Sequence, residues 1–222
     1  MSETKENVSQ IVSRERVQQH GEVFTSEREV KAMCDLVKSE TERIESRFLE
    51  PACGQGAFLL EILDRKLAVV SQRYKTTQNE WERFAIVAVS SLYGIDIQQD
   101  NVELCRQNLL RLFSQHYTAL FPHSSKQAYL SGVAFVLSRN IIWGDALTLA
   151  TPDMAKKPLI FSEWSDIGNG HIKRRDFTLR HLMENHPYEE PNLFSDLGDQ
   201  VFLPKPIADY PPIHFLKLCA DE

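Results

Sequence analysis

One stretch constrains this 222-residue chain more than any other: FLEPACGQGAFLLEIL, from Phe48 to Leu63. An apolar, strand-like start runs into a turn holding Gly54 and Gly56, and then into helical spacing with Phe58, Leu59, Ile62 and Leu63 on one face. A strand that feeds a helix through glycines brings backbone N–H groups close to a ligand, since a Cβ would block the approach. Two further strands follow the same logic. SLYGIDI reads as a second strand ending at Asp96, and NIIWG as a third, followed by Asp145. Between them DNVELCRQNLLRLFSQHYTALF has the length and periodicity of a long helix, and WERFAIVAVSS reads as helical or mixed. Upstream, TSEREVKAMCDLVKS predicts an amphipathic helix, with Thr25 or Ser26 as N-cap and Val30, Met33, Leu36 and Val37 on its apolar face. SRFLEPA reads as a short buried strand. Strands alternating with helical crossovers of this length predict an α/β fold with a parallel sheet.

The length predicts one sizeable core rather than two developed domains. No apolar run is long enough to span a bilayer, and the first residues, MSETKENVSQIVSRERVQQHGE, lack the apolar segment of a secretion signal, so a cytoplasmic location is expected. Cys34, Cys53, Cys105 and Cys219 lie far apart with no C-x-x-C pair, which predicts free, mostly buried thiols and no metal site. A net charge of −6 disfavours nucleic-acid binding over the whole surface but leaves room for a local basic patch.

The ligand of the turn follows from its neighbours. A phosphate loop needs Gly-Lys-Ser/Thr and a dinucleotide fold needs G-x-G-x-x-G; neither is present, because Ala57, Phe58 and Leu59 follow Gly56. Glu50, Asp96 and Asp145 stand instead at the carboxyl ends of the three strands, where open α/β sheets bind ligands. Three acids suit a ligand with hydroxyls, amino groups and positive charge, and S-adenosylmethionine has all of these. Asp96 and Asp145 have a second reading as helix caps or turn formers after strands.

At these residues the chain resembles the adenine-N6 DNA methyltransferases of bacterial restriction–modification systems. The resemblance rests on H-G-E-V-F-T at 20–25, L-E-P-A-C-G-Q-G-A-F-L at 49–59, Y-G-I-D-I at 93–97 and N-I-I-W-G-D-A-L at 140–147, in that order. It implies a Rossmann-like, S-adenosylmethionine-dependent methyltransferase fold. Thr25 and the turn from Ala52 through Gly54 to Gly56 would hold the methionine part, with Glu50 near its amino group. Asp96 would accept from the ribose hydroxyls, Ile97 would pack on the adenine, and Asp145 would accept from the adenine amino group.

The resemblance also implies a catalytic Asn/Asp-Pro-Pro-aromatic motif, whose amide and backbone carbonyl take the amino hydrogens of a flipped adenine while the ring stacks on it. No plain copy occurs. Asn185-His186-Pro187-Tyr188 keeps Asn185, Pro187 and Tyr188 but follows a helix-like FTLRHLME, and Asp209-Tyr210-Pro211-Pro212-Ile213 reads as an extended loop before a short strand. Eight of the ten prolines follow residue 150, so the tail departs from regular α/β layering. Within it PLIFSEW and HIKRRDF flank Asp166–Gly170 and predict a β-hairpin, and IFSEWSDIGNGHIKRRDF resembles a segment of large fused restriction–methylation enzymes. Lys173, Arg174 and Arg175 form the tail's basic cluster; it reads as a phosphate contact or as a charged strand edge.

The expected organisation is a polar tail (1–20), a cofactor-binding core (21–150) whose parallel sheet is incomplete, and a proline-rich, hairpin-bearing tail (151–222, hairpin about 158–177). The expected function is an S-adenosylmethionine-binding, adenine-specific DNA methyltransferase of restriction–modification type. DNA is its implied partner, and a protein partner or second copy would complete the sheet beside the third strand. The alternative is an inactive relative that binds DNA or a restriction–modification subunit as regulator or decoy. No metal and no membrane enter either reading.

Overall fold

The structure is a computed structural model, which describes residues 25–183 and 204–219. Helix α1 (Glu27–Leu36) starts at a capping box: the Ser26 hydroxyl accepts the Glu29 N–H, and the Glu29 carboxylate accepts the Ser26 N–H at 3.1 Å. Ser26 rather than Thr25 is therefore the N-cap. Only Val30 and Cys34 of this segment are buried; Met33, Leu36 and Val37 are 53%, 85% and 47% exposed, so the expected apolar face is only partly used.

After a short helix α2 (Lys38–Thr41) come β1 (Phe48–Glu50), α3 (Ala57–Tyr74), α4 (Gln78–Ser90), β2 (Leu92–Asp96), α5 (Gln99–Leu120), α6 (Gln127–Asn140) and β3 (Ile141–Trp143). The three strands form a parallel sheet in the order β1-β2-β3, with Leu49 opposite Tyr93 and Ile95 opposite Ile142. This makes the chain a mixed α/β protein. Among the described residues the strand expected to be buried is instead an edge, and Leu49 of β1 is 48% exposed. The ambiguous WERFAIVAVSS is helix α4, which buries Trp81, Ala85, Ile86 and Val89, and the residues just before β3 form a further helix, α6.

The tail opens with the hairpin β4 (Ile160–Gly168) and β5 (His171–Thr178), closed by Asn169 and Gly170, both at positive φ. A short α7 (Leu179–Met183) follows. Later β6 (Ala208–Asp209) and β7 (Ile213–His214) both pair with β5, and of the short strand expected over Ile213–Leu218 only β7 forms, followed by a 3-10 turn over Phe215–Lys217.

Burial explains why hairpin and helices hold together. Trp164 and Ile172 of the hairpin and Phe215 and Leu218 beyond it join the same core as α3–α6. There Tyr117 lies 5.5 Å from Trp81 and 5.2 Å from Tyr129 between ring centroids. A second, smaller cluster of Ile95, Leu159, Phe161 and Leu179 seals β2 against the start of the hairpin. Several buried polar groups are paired. The Glu82 carboxylate accepts from the Tyr117 hydroxyl and from Lys126 Nζ at 2.7 Å. Asn140 accepts the Trp164 indole N–H at 3.0 Å and donates to the Ser90 carbonyl at 3.0 Å, which ties β4 to the end of α4. Among the described residues no helix is long and apolar enough to cross a membrane. Cys34, Cys53 and Cys105 are buried free thiols, and Cys219 is exposed.

Candidate cofactor site

The pairing of β1 with β2 continues past Glu50, since the Cys53 N–H donates to the Ile95 carbonyl at 2.9 Å. The chain then turns tightly, with Gly54 at φ +50 and Gly56 at φ +93, and the Gly56 N–H returns to the Cys53 carbonyl at 2.8 Å. The two glycines serve different needs. A Cβ on Gly56 would sit 2.7 Å from Cys105 Sγ on α5, whereas a Cβ on Gly54 would meet nothing within 4 Å. Gly56 lets the turn lie against α5, and Gly54 keeps an open cradle on the other side. Gly56 is also the N-cap of α3 without a side-chain cap, so the first N–H groups of that helix have no capping oxygen from it.

The three acids differ in their surroundings. Asp96, only 7% exposed, accepts the Gly54 N–H on Oδ2 at 2.8 Å and the Gln98 N–H on Oδ1 at 2.8 Å, with Asn101 Nδ2 at 3.4 Å. It is thus both the turn former that its position after a strand predicts and a clamp on the glycine turn. A carboxylate accepts about four hydrogen bonds, so one direction is still open to a ligand. Asp145 accepts the Leu147 N–H at 2.9 Å and the Thr148 N–H at 3.4 Å, bonds that hold its carboxyl below the usual range. It lies one residue beyond Gly144, whose N–H reaches the Asp96 carbonyl at 3.0 Å. Glu50 is half-buried, and burial raises its carboxyl against the pull of the Ala52 N–H. Ile97 is 51% exposed, and its carbonyl accepts the Trp143 indole N–H at 2.9 Å. Thr25 lines a cavity with Ala57, Asn108 and Arg111, which places it beside the start of α3.

The structure therefore gathers Glu50, Ala52, Gly54, Gly56, Asp96 and Ile97 around one turn, with Asp145 on the neighbouring strand end and Thr25 by the helix that the turn begins. The N–H groups at the start of α3 suit a carboxylate, Glu50 an amine, and the remaining direction of Asp96 a hydroxyl beside an apolar ring. In comparison with known families, the chain matches the N-6 DNA methylase family over residues 2–117, more than half its length. The chain belongs to the N-6 DNA methylase family. Three of the four motif blocks lie within the match, and the fourth, at 140–147, lies beyond it. No curated protein and no solved structure matches significantly.

For an N-6 DNA methylase, the support behind the turn matters as much as its rim, and the motifs alone do not reveal it. Asn101, Cys105 and Asn108 form a stripe on α5: Asn101 donates to Asp96, Cys105 packs under Gly56, and Asn108 Nδ2 holds the Gln55 carbonyl at 3.0 Å. Two amides and a thiol at helical spacing on a helix otherwise packed through apolar residues were the signal available in the sequence. Asn185, Pro187 and Tyr188 lie outside the described residues. The tail's basic cluster is spent on ion pairs: Lys173 with Asp209 at 3.0 Å, the buried Arg174 with Asp176 at 2.8 Å, and Arg175 with Glu163. Because β5 pairs with β4 on one side and with β6 and β7 on the other, the cluster does not lie on a strand edge, and its charges are neutralised within the hairpin's own sheet. Among the described residues no group of three or more His, Cys, Asp or Glu is placed to hold a metal ion.

Proposed function

We propose that this N-6 DNA methylase binds S-adenosylmethionine on the Gly54–Gly56 turn and is the cofactor-holding part of an adenine-specific DNA methyltransferase of restriction–modification type, with a Rossmann-like core over residues 21–150. The observation that carries the reading is the clamp from Asp96 Oδ2 to the Gly54 N–H, which joins the second-strand acid to the open face of the glycine turn. The residues fit the cofactor. Gly54 leaves space where a side chain would stand, the α3 N-terminus lacks a side-chain cap, and Ile97 is exposed next to Asp96. Bound there, the cofactor supplies an electrophilic methyl group. The chain's own part is to orient it: Thr25 and the turn on the methionine end, Glu50 on the amine, Asp96 on the ribose, Ile97 and Asp145 on the adenine. The acceptor for an adenine amino group is assigned to Asn185 with Pro187 and Tyr188, or to a partner that completes the sheet.

A second reading, an inactive relative acting as regulator or decoy, is favoured by one observation: no Asn/Asp-Pro-Pro-aromatic motif occurs anywhere in the chain. Transfer of labelled methyl groups from S-adenosylmethionine to unmethylated DNA, by the chain alone and with cell lysate, separates the two. Label on adenine N6 in either assay supports the methyltransferase. Cofactor binding without transfer in both supports the second reading, and transfer unchanged in Asn185→Ala removes Asn185 from the mechanism.

A further inference from the structure

The chain has three tryptophans, and two of them belong to the core. Trp81 and Trp164 are 0% and 8% exposed, and each packs against other aromatic rings. Trp143 differs: it ends β3 at the carboxyl edge of the parallel sheet and stays partly exposed. Its register places it beside the acid that clamps the glycine turn. Trp143 is the direct partner of Asp96 where β3 pairs with β2, and laterally paired residues on strands about 4.8 Å apart turn their side chains to the same face. The indole therefore stands on the face from which Asp96 reaches the Gly54 N–H. A hydrogen bond then fixes the ring, since its N–H donates at 2.9 Å to the carbonyl of Ile97, one residue past Asp96. The backbone beyond stays close as well, because the Gly144 N–H donates to the Asp96 carbonyl at 3.0 Å. An exposed aliphatic side chain, Ile97, and a tethered indole thus lie together at the strand ends that carry Asp96 and Asp145.

We propose that Trp143 is the aromatic wall at the nucleoside end of this site, with the purine of the ligand packed between its indole and the Ile97 side chain. This placement rests on the S-adenosylmethionine reading and adds to it a residue that the motif resemblance does not assign. A purine offers a flat π-face, and an indole is a large, rigid surface to stack on it. The bond to the Ile97 carbonyl holds the ring in position before a ligand arrives, so little side-chain freedom is lost on binding. Packing alone gives a weaker account of the residue, because Trp143 keeps in contact with water a surface that Trp81 and Trp164 bury. The two kinds of group then divide the recognition: the carboxylates take the polar edges of the ligand, and the indole takes its flat face.

Tryptophan emission of the full chain, measured beside calorimetry, tests the placement, because Trp81 and Trp164 are closed to solvent and Trp143 is not. Wild type is expected to change its emission saturably with S-adenosylmethionine and with S-adenosylhomocysteine, at the midpoint that calorimetry gives. Methionine, which has no purine, is expected to leave the emission unchanged. Trp143→Phe keeps a ring and is expected to lose the emission change while still binding. Trp143→Leu keeps apolar bulk without a ring, and its affinity is expected to fall about tenfold or more with unchanged circular dichroism. Should Trp143→Leu lose its fold, the emission of wild type and Trp143→Phe decides alone. Calorimetric binding without an emission change, an emission change that survives in Trp143→Phe, or a folded Trp143→Leu that binds as wild type does overturns the placement of Trp143 and leaves the cofactor reading standing. Wild type that gives neither heat nor an emission change overturns both.

Discussion

Gly54 and Gly56 occupy one turn, yet their replacement should have opposite signatures. Gly56→Ala places a Cβ at 2.7 Å from Cys105 Sγ at a φ of +93, so strain and overpacking together cost roughly 3 kcal/mol. Gly54→Ala meets no atom within 4 Å and costs about 1 kcal/mol for its left-handed backbone, but its methyl stands on the open side of the turn. Urea unfolding paired with cofactor titration should show Gly56→Ala losing stability and Gly54→Ala losing affinity; the reverse order would mean that the open side is not the ligand side. Lys66 gives a pH prediction. It is fully buried, donates to the carbonyls of Ile44 and Ser46 and to Ser91 Oγ, and burial pushes its ammonium down to about 7 from 10.5. Between those values the unfolded chain binds more protons than the folded one, so stability is full above pH 10.5 and falls as the pH drops toward 7. In Lys66→Met that slope should vanish, measured as unfolding free energy against pH.

Asn140 joins elements that the sequence shows as separate. It ends α6, accepts the indole N–H of β4 and donates to the last turn of α4. Asn140→Leu leaves the Trp164 N–H and the Ser90 carbonyl buried without partners, a loss of roughly 3 kcal/mol. Amide exchange should quicken in β4 before it does in β2, and equal quickening everywhere would show that Asn140 does not tie the hairpin in particular. At this scale the alternation of strand and helix was legible, because Gly54, Gly56 and Gly168–Gly170 mark turns and the runs between them have clear periods. What was not legible depended on long-range packing. Met33, Leu36 and Val37 look like a core face, but of the apolar residues in this segment only Val30 and Cys34 are buried, and the other three stay exposed. SRFLEPA looks like a buried strand, but no strand among the described residues lies on its outer side, and burial on that side is not written in its residue types.

For the whole molecule, the acids at the strand ends were legible as a set, while the functions of each were not. Asp96 could be read as cap or ligand acceptor, and the fold uses it to clamp Gly54 to the start of α5, which no local pattern specifies. The basic cluster shows the same limit. Lys173 and Arg175 share one side of β5, as alternation requires, but Asp209 and Glu163, 36 and 12 residues away in sequence, neutralise them. Lys173→Ala with Arg175→Ala should therefore change DNA affinity by less than about threefold and leave its salt slope within about one unit. A loss of two phosphate-like contacts in that slope would restore the cluster to the DNA surface.

Calorimetric titration of S-adenosylmethionine into wild type and Asp96→Ala tests whether the turn holds the cofactor through the clamp between Asp96 and Gly54. The expected result is a saturable, one-site heat with wild type that disappears in Asp96→Ala while circular dichroism shows both folded. Folded wild type that gives no heat, or Asp96→Ala that binds as wild type does, would contradict it.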